Sequence, residues 1–310
     1  MGTRLEDPKV AKLYRSVPSE LVSELRRFRA QYPYKRATVA GTEWHYIDTG
    51  PGEDVLLALT GAACIAEMSW LSIKHLAHRS RVISPDYPAL DTMAELVDGI
   101  VGILNQEGVR QAHVMGGSYG GLVAQLLVRR HPDRTTSLIL SHTVLPERQT
   151  AEQVARVARW IQWLPASMLR ALFRLRMGKL FPEGQHPELA LSKALFAEIV
   201  DYRLTKAQII STMRRTVDLG MNYSFTPGEL EGWPGRILLL MAEDDPATPQ
   251  PVREAISAMY PQAQMRTFSG AGHLTVILKQ DEYFGAIDEF LTAQPGPEEH
   301  SEGTCGPTSR

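Results

Sequence analysis

HVMGGSYGGLVAQ, residues 113–125, is the stretch whose reading decides the fold. It sets one serine, Ser118, among glycines in a segment that otherwise reads as buried. Gly116-Gly117-Ser118-Tyr119-Gly120 fits the pattern G-x-S-x-G. A serine at a sharp strand-to-helix turn has a strained backbone, so the residues two positions away must be small. The turn lifts the Oγ above the end of the strand, facing the N-terminus of the next helix. The flanks fit this reading: QAHVM precedes with strand character, and LVAQLLVRR follows with helical spacing. The competing readings are a packing turn or a phosphate-binding turn. A dinucleotide fingerprint needs G-x-G-x-x-G, and GGSYGG offers glycines at other offsets.

The neighbouring runs extend the pattern. VLLALT (55–60), RVISPD (81–86), QAHVMGG (111–117), TSLILSHT (136–143), RILLLMAE (236–243) and QMRTFSG (264–270) are short and apolar without clean alternation. Such strands are buried on both faces. The first four alternate with helix-like stretches, which implies βαβ units and a mainly parallel sheet with right-handed crossovers. Ahead of them, RATVA (36–40) and EWHYIDTG (43–50) read as an edge hairpin. SELVSELRRFRAQ (19–31) reads as a helix packing through Leu21, Leu25 and Phe28.

Between Pro146 and about Phe225 the strand signal vanishes. Two helical stretches, 150–181 and 186–221, are interrupted at Pro165 and at FPEGQHP. A last helix is expected over 281–294. These elements divide the chain into an N-terminal helical extension (1–35), a first core part (36–147), a helical insertion (148–225), a second core part (226–294) and a disordered tail (295–310) rich in Gly, Pro, Glu and Ser.

A serine by itself is a poor nucleophile, so a base and an acid must accompany it. On this type of fold they follow in the order acid, then histidine. RILLLMAEDDPATP puts Asp244 and Asp245 directly after a strand. Asp245, before Pro246, sits where a turn points a carboxylate back at the site, and Asp244 is its competitor. The alternative is that both only cap the next helix. His273, after the Gly-rich bend of FSGAGHLTVIL, is the candidate base. His45, His75, His78, His131 and His300 have ordinary surface readings. His113 and His142 lie in strands, and His142 is the better placed to approach a pocket. An oxyanion hole needs two backbone N–H donors. Tyr119 supplies one; Ala62, or alternatively Ala63, supplies the other, because the Gly61-Ala62 step allows close approach.

With 310 residues, a net charge of −2 and 44% hydrophobic content, the chain reads as a globular protein without the electrostatic footprint of a nucleic-acid binder. Cys64 and Cys305 form neither a disulfide framework nor a metal-ligand spacing. No signal peptide, myristoylation pattern or transmembrane run is visible, so a cytoplasmic monomer or homodimer is expected.

Taken together, these residues resemble the α/β-hydrolase superfamily over roughly 36–293. LTGAACIAEMSW resembles its oxyanion segment, RVISPDYPA its next strand and loop, GGSYGG its nucleophile elbow, AEDDP its acid turn and GAGH its histidine loop. The resemblance implies an eight-stranded sheet flanked by helices, a lid inserted after strand six, and hydrolysis without metal or organic cofactor. Thr60 and Gly117 replace histidines usual in the family. The loop after Asp86 and the path into WLPASML are similar to maspardin-like members, though this chain keeps Ser118, Asp245 and His273.

The expected activity is a serine carboxylesterase acting on small-molecule esters with apolar medium-chain or aromatic groups. Gly61, Ala63, His142 and Leu274 are expected to bind substrate, with Trp160, Trp163, Leu164 and Met168 among the apolar lid residues (Leu169, Leu172 and Phe173 are others) that roof the pocket. Arg156, Arg159, Arg170, Arg174 and Arg176 make the insertion basic, either as a solvated face or to attract anions. The alternatives are C–C bond, lactone, or amide and iminopeptidase hydrolysis, the last needing acids such as Glu183, Glu188 or Glu198, and a non-catalytic scaffold. Haloalkane and epoxide chemistry would need an aspartate at position 118.

Overall fold

Apolar runs that do not alternate become strands covered on both sides. In the computed structural model, which describes residues 5–182, 184 and 186–293, the strands are β1 (Lys35–Val39), β2 (Thr42–Asp48), β3 (Val55–Leu59), β4 (Arg81–Pro85), β5 (Ala112–Gly117), β6 (Thr135–Ser141), β7 (Arg236–Ala242) and β8 (Gln264–Phe268). They form one eight-stranded sheet in the order β1-β2-β4-β3-β5-β6-β7-β8. β2 is antiparallel to β1 and β4; every other pair is parallel. Leu57, Val114, Leu138 and Leu239 belong to one hydrophobic cluster, and their neighbours Leu56, Met115, Ile139 and Leu238 to another. Successive residues point to opposite faces, so two cores flank the sheet. The β1–β2 hairpin turns on Ala40 (φ 48°) and Gly41 (φ 78°), the paired positive values that a two-residue hairpin turn demands.

The helices follow from the same sequence. α1 (Pro8–Ala11) and α2 (Ser19–Gln31) precede the sheet, and α2 buries Leu25 and Phe28. α3 (Trp70–Leu76), α4 (Met93–Gln106) and α5 (Tyr119–Arg130) connect the parallel strands. α6 (Arg148–Ile161), α7 (Ala166–Gly178), α8 (Pro187–Glu198) and α9 (Lys206–Asn222) lie between β6 and β7. α10 (Gln250–Met259), α11 (Thr275–Leu278) and α12 (Gln280–Thr292) complete the order. The run 186–221, read from sequence as continuous, is broken by a π-helical turn, Ile199–Arg203. A new helix then begins at a capping box in which Thr205 and Gln208 exchange side-chain and backbone bonds. That T-x-x-Q signal was present in the sequence.

Glu183, His300, Cys305 and the tail expected from Pro295 lie outside the described residues. No described helix is long and apolar enough to cross a membrane.

Candidate active site

At the middle of the sheet the strand order reverses, because the crossover from β3 runs to β4 on one side and the crossover from β4 returns past β3 to β5 on the other. The carboxyl ends of β3, β5, β6 and β7 therefore meet around one crevice, where parallel sheets place their ligands. Ser118 stands there between β5 and α5, with φ 52° and ψ −123°, in the left-handed half of backbone space that a side chain rarely adopts. The strain is held by neighbours. The Ser118 N–H donates to Ser141 O at 2.9 Å, and its carbonyl accepts from the Thr143 hydroxyl at 2.7 Å and from Gly121 N at 3.0 Å. The glycines have steric reasons. A Cβ on Gly116 would run into the Gly120 carbonyl, one on Gly120 into the Leu59 and Thr60 carbonyls, and one on Gly121 into the Thr143 side chain.

The two adjacent aspartates separate cleanly. Asp245 Oδ2 lies 2.8 Å from His273 Nδ1 and also accepts from the Thr248 hydroxyl at 2.8 Å, while Oδ1 accepts from Ala247 N at 2.8 Å. Burial works to raise this carboxyl, but the bonds from His273, Ala247 and Thr248 outweigh it and hold the group below the usual carboxylate range. Asp244 instead accepts from the N–H of Gly272 at 3.1 Å and of Ala271 at 3.4 Å, fixing the loop that carries His273. With Nδ1 engaged by Asp245, Nε2 is the nitrogen that His273 has for the cavity it lines together with Ser118.

His142, expected near the pocket, does line it, and is 5% exposed with φ 48°. Its hydrogen bonds fix its tautomer. A carbonyl oxygen can only accept, so the Thr275 hydroxyl donates to Gly272 O (3.2 Å) and accepts from His142 Nε2–H (2.8 Å). Nδ1 is then unprotonated and accepts from the Ser141 hydroxyl (2.8 Å), which in turn accepts from the Tyr283 hydroxyl (2.9 Å). Burial, reinforced by the neighbouring His273, pushes the His142 imidazole down to about 4.

Gly61, Ala62 and Ala63 line the cavity beside Ser118, and Tyr119 is the first residue of α5. The turn after β3 is tight: Cys64 N donates to Gly61 O at 3.0 Å, and Cys64 itself has φ 60°. Sequence reasoning missed what stands behind this turn. Arg215 of α9 is completely buried. Its Nε donates to the Tyr119 hydroxyl at 2.9 Å, its Nη1 to the Pro88 and Leu90 carbonyls at 2.9 and 3.1 Å, and its Nη2 to the Thr212 hydroxyl at 3.1 Å. No carboxylate forms an ion pair with it among the described residues. One arginine thus ties α9 to the residue after Ser118 and to the loop after β4. A second group, also missed, joins the N-terminal extension to the site: Arg29 of α2 bridges Glu67, just past the turn that follows β3, and Glu198 of α8, while Arg203 pairs with Glu67 at 2.5 Å. Nothing in the sequence marked either cluster, because the partners lie far apart along the chain.

The cavity has a volume of about 230 Å³. Met68, Trp70, Phe173, Met177, Phe181 and Phe196 give it apolar walls, and no Asp, Glu, Lys or Arg is among its described lining residues. Gly61, Ala63, His142 and Leu274 line it as expected. Trp160, Trp163, Leu164 and Met168 do not: both tryptophans and Met168 are exposed on the outer side, and Leu164 packs against the core. α7 carries two apolar stripes, and the one containing Phe173 and Met177 faces inward. Of the acids considered for an amine-binding role, Glu188 pairs with His186 at 2.9 Å and Glu198 with Arg29, and neither lines the cavity.

Residues 55–286 match the profile of the alpha/beta hydrolase family. This chain belongs to that family. A proline iminopeptidase of Lactobacillus helveticus (strain DPC 4571) is 24% identical to it over 67% of this chain and 75% of the relative. The 2-hydroxymuconate semialdehyde hydrolase of Pseudomonas sp. (strain CF600) is 24% identical over 81% of this chain and 91% of the relative. Among solved structures, a thermophilic esterase from Thermogutta terrifontis superposes with a TM-score of 0.66 at 23% identity, covering 83% of this chain and 97% of that one. Similarity at that identity establishes the shared fold. These three are named for different activities: an iminopeptidase, a semialdehyde hydrolase and an esterase.

Proposed function

We propose that this alpha/beta hydrolase is a serine carboxylesterase that cleaves esters of apolar medium-chain or aromatic groups through an acyl-enzyme on Ser118. The observation that carries the reading is a cavity bearing Ser118 and His273 whose described lining holds no charged side chain. A substrate bearing a carboxylate calls for a cation in the pocket, and one bearing a free amine calls for a carboxylate. An apolar ester needs neither.

His273 takes the Ser118 proton as the Oγ attacks the acyl carbon, and the backbone N–H groups of Ala62 and Tyr119 stabilise the oxyanion. His273 then protonates the leaving alcohol, and water repeats the sequence on the acyl-enzyme. Asp245 holds the imidazole in the tautomer with Nε2 free. In this reading residues 148–225 act as the lid, with Phe173 and Met177 forming its inner surface.

The test is labelling by a fluorophosphonate probe, with the modified peptide mapped by mass spectrometry, followed by an ester panel graded by chain length. Label on Ser118 that vanishes in Ser118→Ala and His273→Ala, together with turnover of uncharged esters, supports the reading. Label without ester turnover moves the same triad to C–C, amide or lactone bonds. A folded protein that takes no label makes the fold a binding scaffold.

A further inference from the structure

The outer side of the insertion is unlike the rest of the surface. Trp160 is 76% exposed and Trp163 80%, and both lie at the tip where α6 turns into α7 through residues 162–165. Along α7, Met168, Leu172 and Leu175 recur at helical spacing and are also exposed, Leu175 at 68%. A helix that offers apolar side chains to water on one side, while its opposite side is already packed, has an unpartnered face. Tryptophan side chains gain most at a boundary where one end of the ring is apolar and the other wet.

Charge identifies the occupant. Residues 148–179 hold seven Arg or Lys against a single acid, Glu152, in a chain whose net charge is −2. Arg148 is paired with Glu152 and Arg174 with Asp201, but Arg156, Arg159, Arg176 and Lys179 form no ion pair among the described residues. Exposed Trp and Leu combined with unpaired Arg on a helix pair is the composition of a surface that lies in a lipid headgroup layer. A second copy of the chain is a poor match, because a two-fold interface would set this basic patch against itself.

We propose that the outer face of α6 and α7 docks this protein on an anionic lipid bilayer, with Trp160 and Trp163 entering the headgroup region and Arg156, Arg159, Arg176 and Lys179 pairing with lipid phosphates. The attachment proposed is peripheral and reversible, through the two exposed tryptophans and the basic side chains. The inner side of α7, through Phe173 and Met177, lines the cavity, so the docked helix lies between the lipid surface and the candidate site. The docking stands apart from the esterase reading, since it is measured without turnover.

The experiment uses the full chain and sedimentation with sucrose-loaded vesicles, either pure phosphatidylcholine or an equal mixture with phosphatidylglycerol. The wild type is expected to pellet with the mixed vesicles only, with a blue shift of tryptophan emission that salt reverses. Trp160→Ser/Trp163→Ser and Arg156→Gln/Arg159→Gln should each weaken the partition by roughly tenfold or more while keeping the wild-type melting temperature. Failure to pellet with the mixed vesicles overturns the proposal, as does binding that survives the tryptophan double variant. A dimer in solution that the tryptophan double variant abolishes also overturns it and assigns the face to a second copy.

Discussion

The imidazole of His142 stands edge-on to that of His273, with ring centroids 5.8 Å apart and planes inclined at 80°. One ring is bound to Asp245, and burial keeps the other neutral, in the tautomer set by a hydrogen-bonded chain from Tyr283 to Gly272. His142 therefore joins the end of β6 to the loop that carries His273 without placing a positive charge beside it.

Stability should show this neutrality as a pH slope. The folded His142 is depressed to about 4 from an ordinary value of 6.5, so the unfolded chain binds the proton first. The stabilisation is complete above 6.5 and is lost as the pH falls toward 4, an effect of about 3 kcal/mol across that window. Urea unfolding of wild type and His142→Gln across this range measures it. A wild-type slope no steeper than that of the variant would contradict the assignment.

The two aspartates should separate functionally. Asp245→Asn leaves the turn in place but removes the acceptor that fixes the His273 tautomer, and kcat is expected to fall roughly a thousand- to ten-thousand-fold with little change in stability. Asp244→Asn weakens two bonds to the histidine loop and should cost about tenfold in kcat and about 1 kcal/mol in stability. Steady-state kinetics on the best ester of the panel, with parallel urea unfolding, decide the order.

Glycines in the elbow should differ sharply. In Gly120→Ala the new methyl meets the Leu59 and Thr60 carbonyls, which are backbone and cannot swing aside; a loss of more than about 3 kcal/mol is expected. In Gly117→Ala the nearest atom is Ser141 O at 3.7 Å, an ordinary contact, and the change should stay within about 1 kcal/mol. Equal effects in thermal unfolding would refute the steric account.

Arg215 supports the site without touching the cavity. Arg215→Met leaves the Pro88 and Leu90 carbonyls without their donor and should cost about 2–4 kcal/mol, with reduced fluorophosphonate labelling of Ser118 in the protein that remains folded. Arg215→Lys keeps the charge but not the planar fork, so it should recover only part of the loss. Full recovery by lysine would mean that charge alone is what the position requires.

Much of this arrangement was legible along the chain because its signals are local. A strand buried on both faces, a serine between glycines, and acid and histidine turns after later strands each depend on a few consecutive residues. The order of those turns fixed Ser118 and His273 as candidates, with Asp245 ahead of Asp244.

Folding decided what depends on direction and distance. Asp244 and Asp245 are chemically identical neighbours, and only the turn aims one at the imidazole and the other at the loop backbone. The apolar stripes of α7 have the same periodicity, so Met168 and the nearby tryptophans read as lining until packing turned Phe173 and Met177 inward. Arg215 looked like any arginine of a long helix; its role arises because Tyr119, Pro88 and Leu90 converge on it from separate parts of the chain. Sequence specifies local backbone geometry through sterics and hydrogen-bonding preference. Which of two possible faces is buried, and which distant groups meet, is set by how the packed elements fill space together.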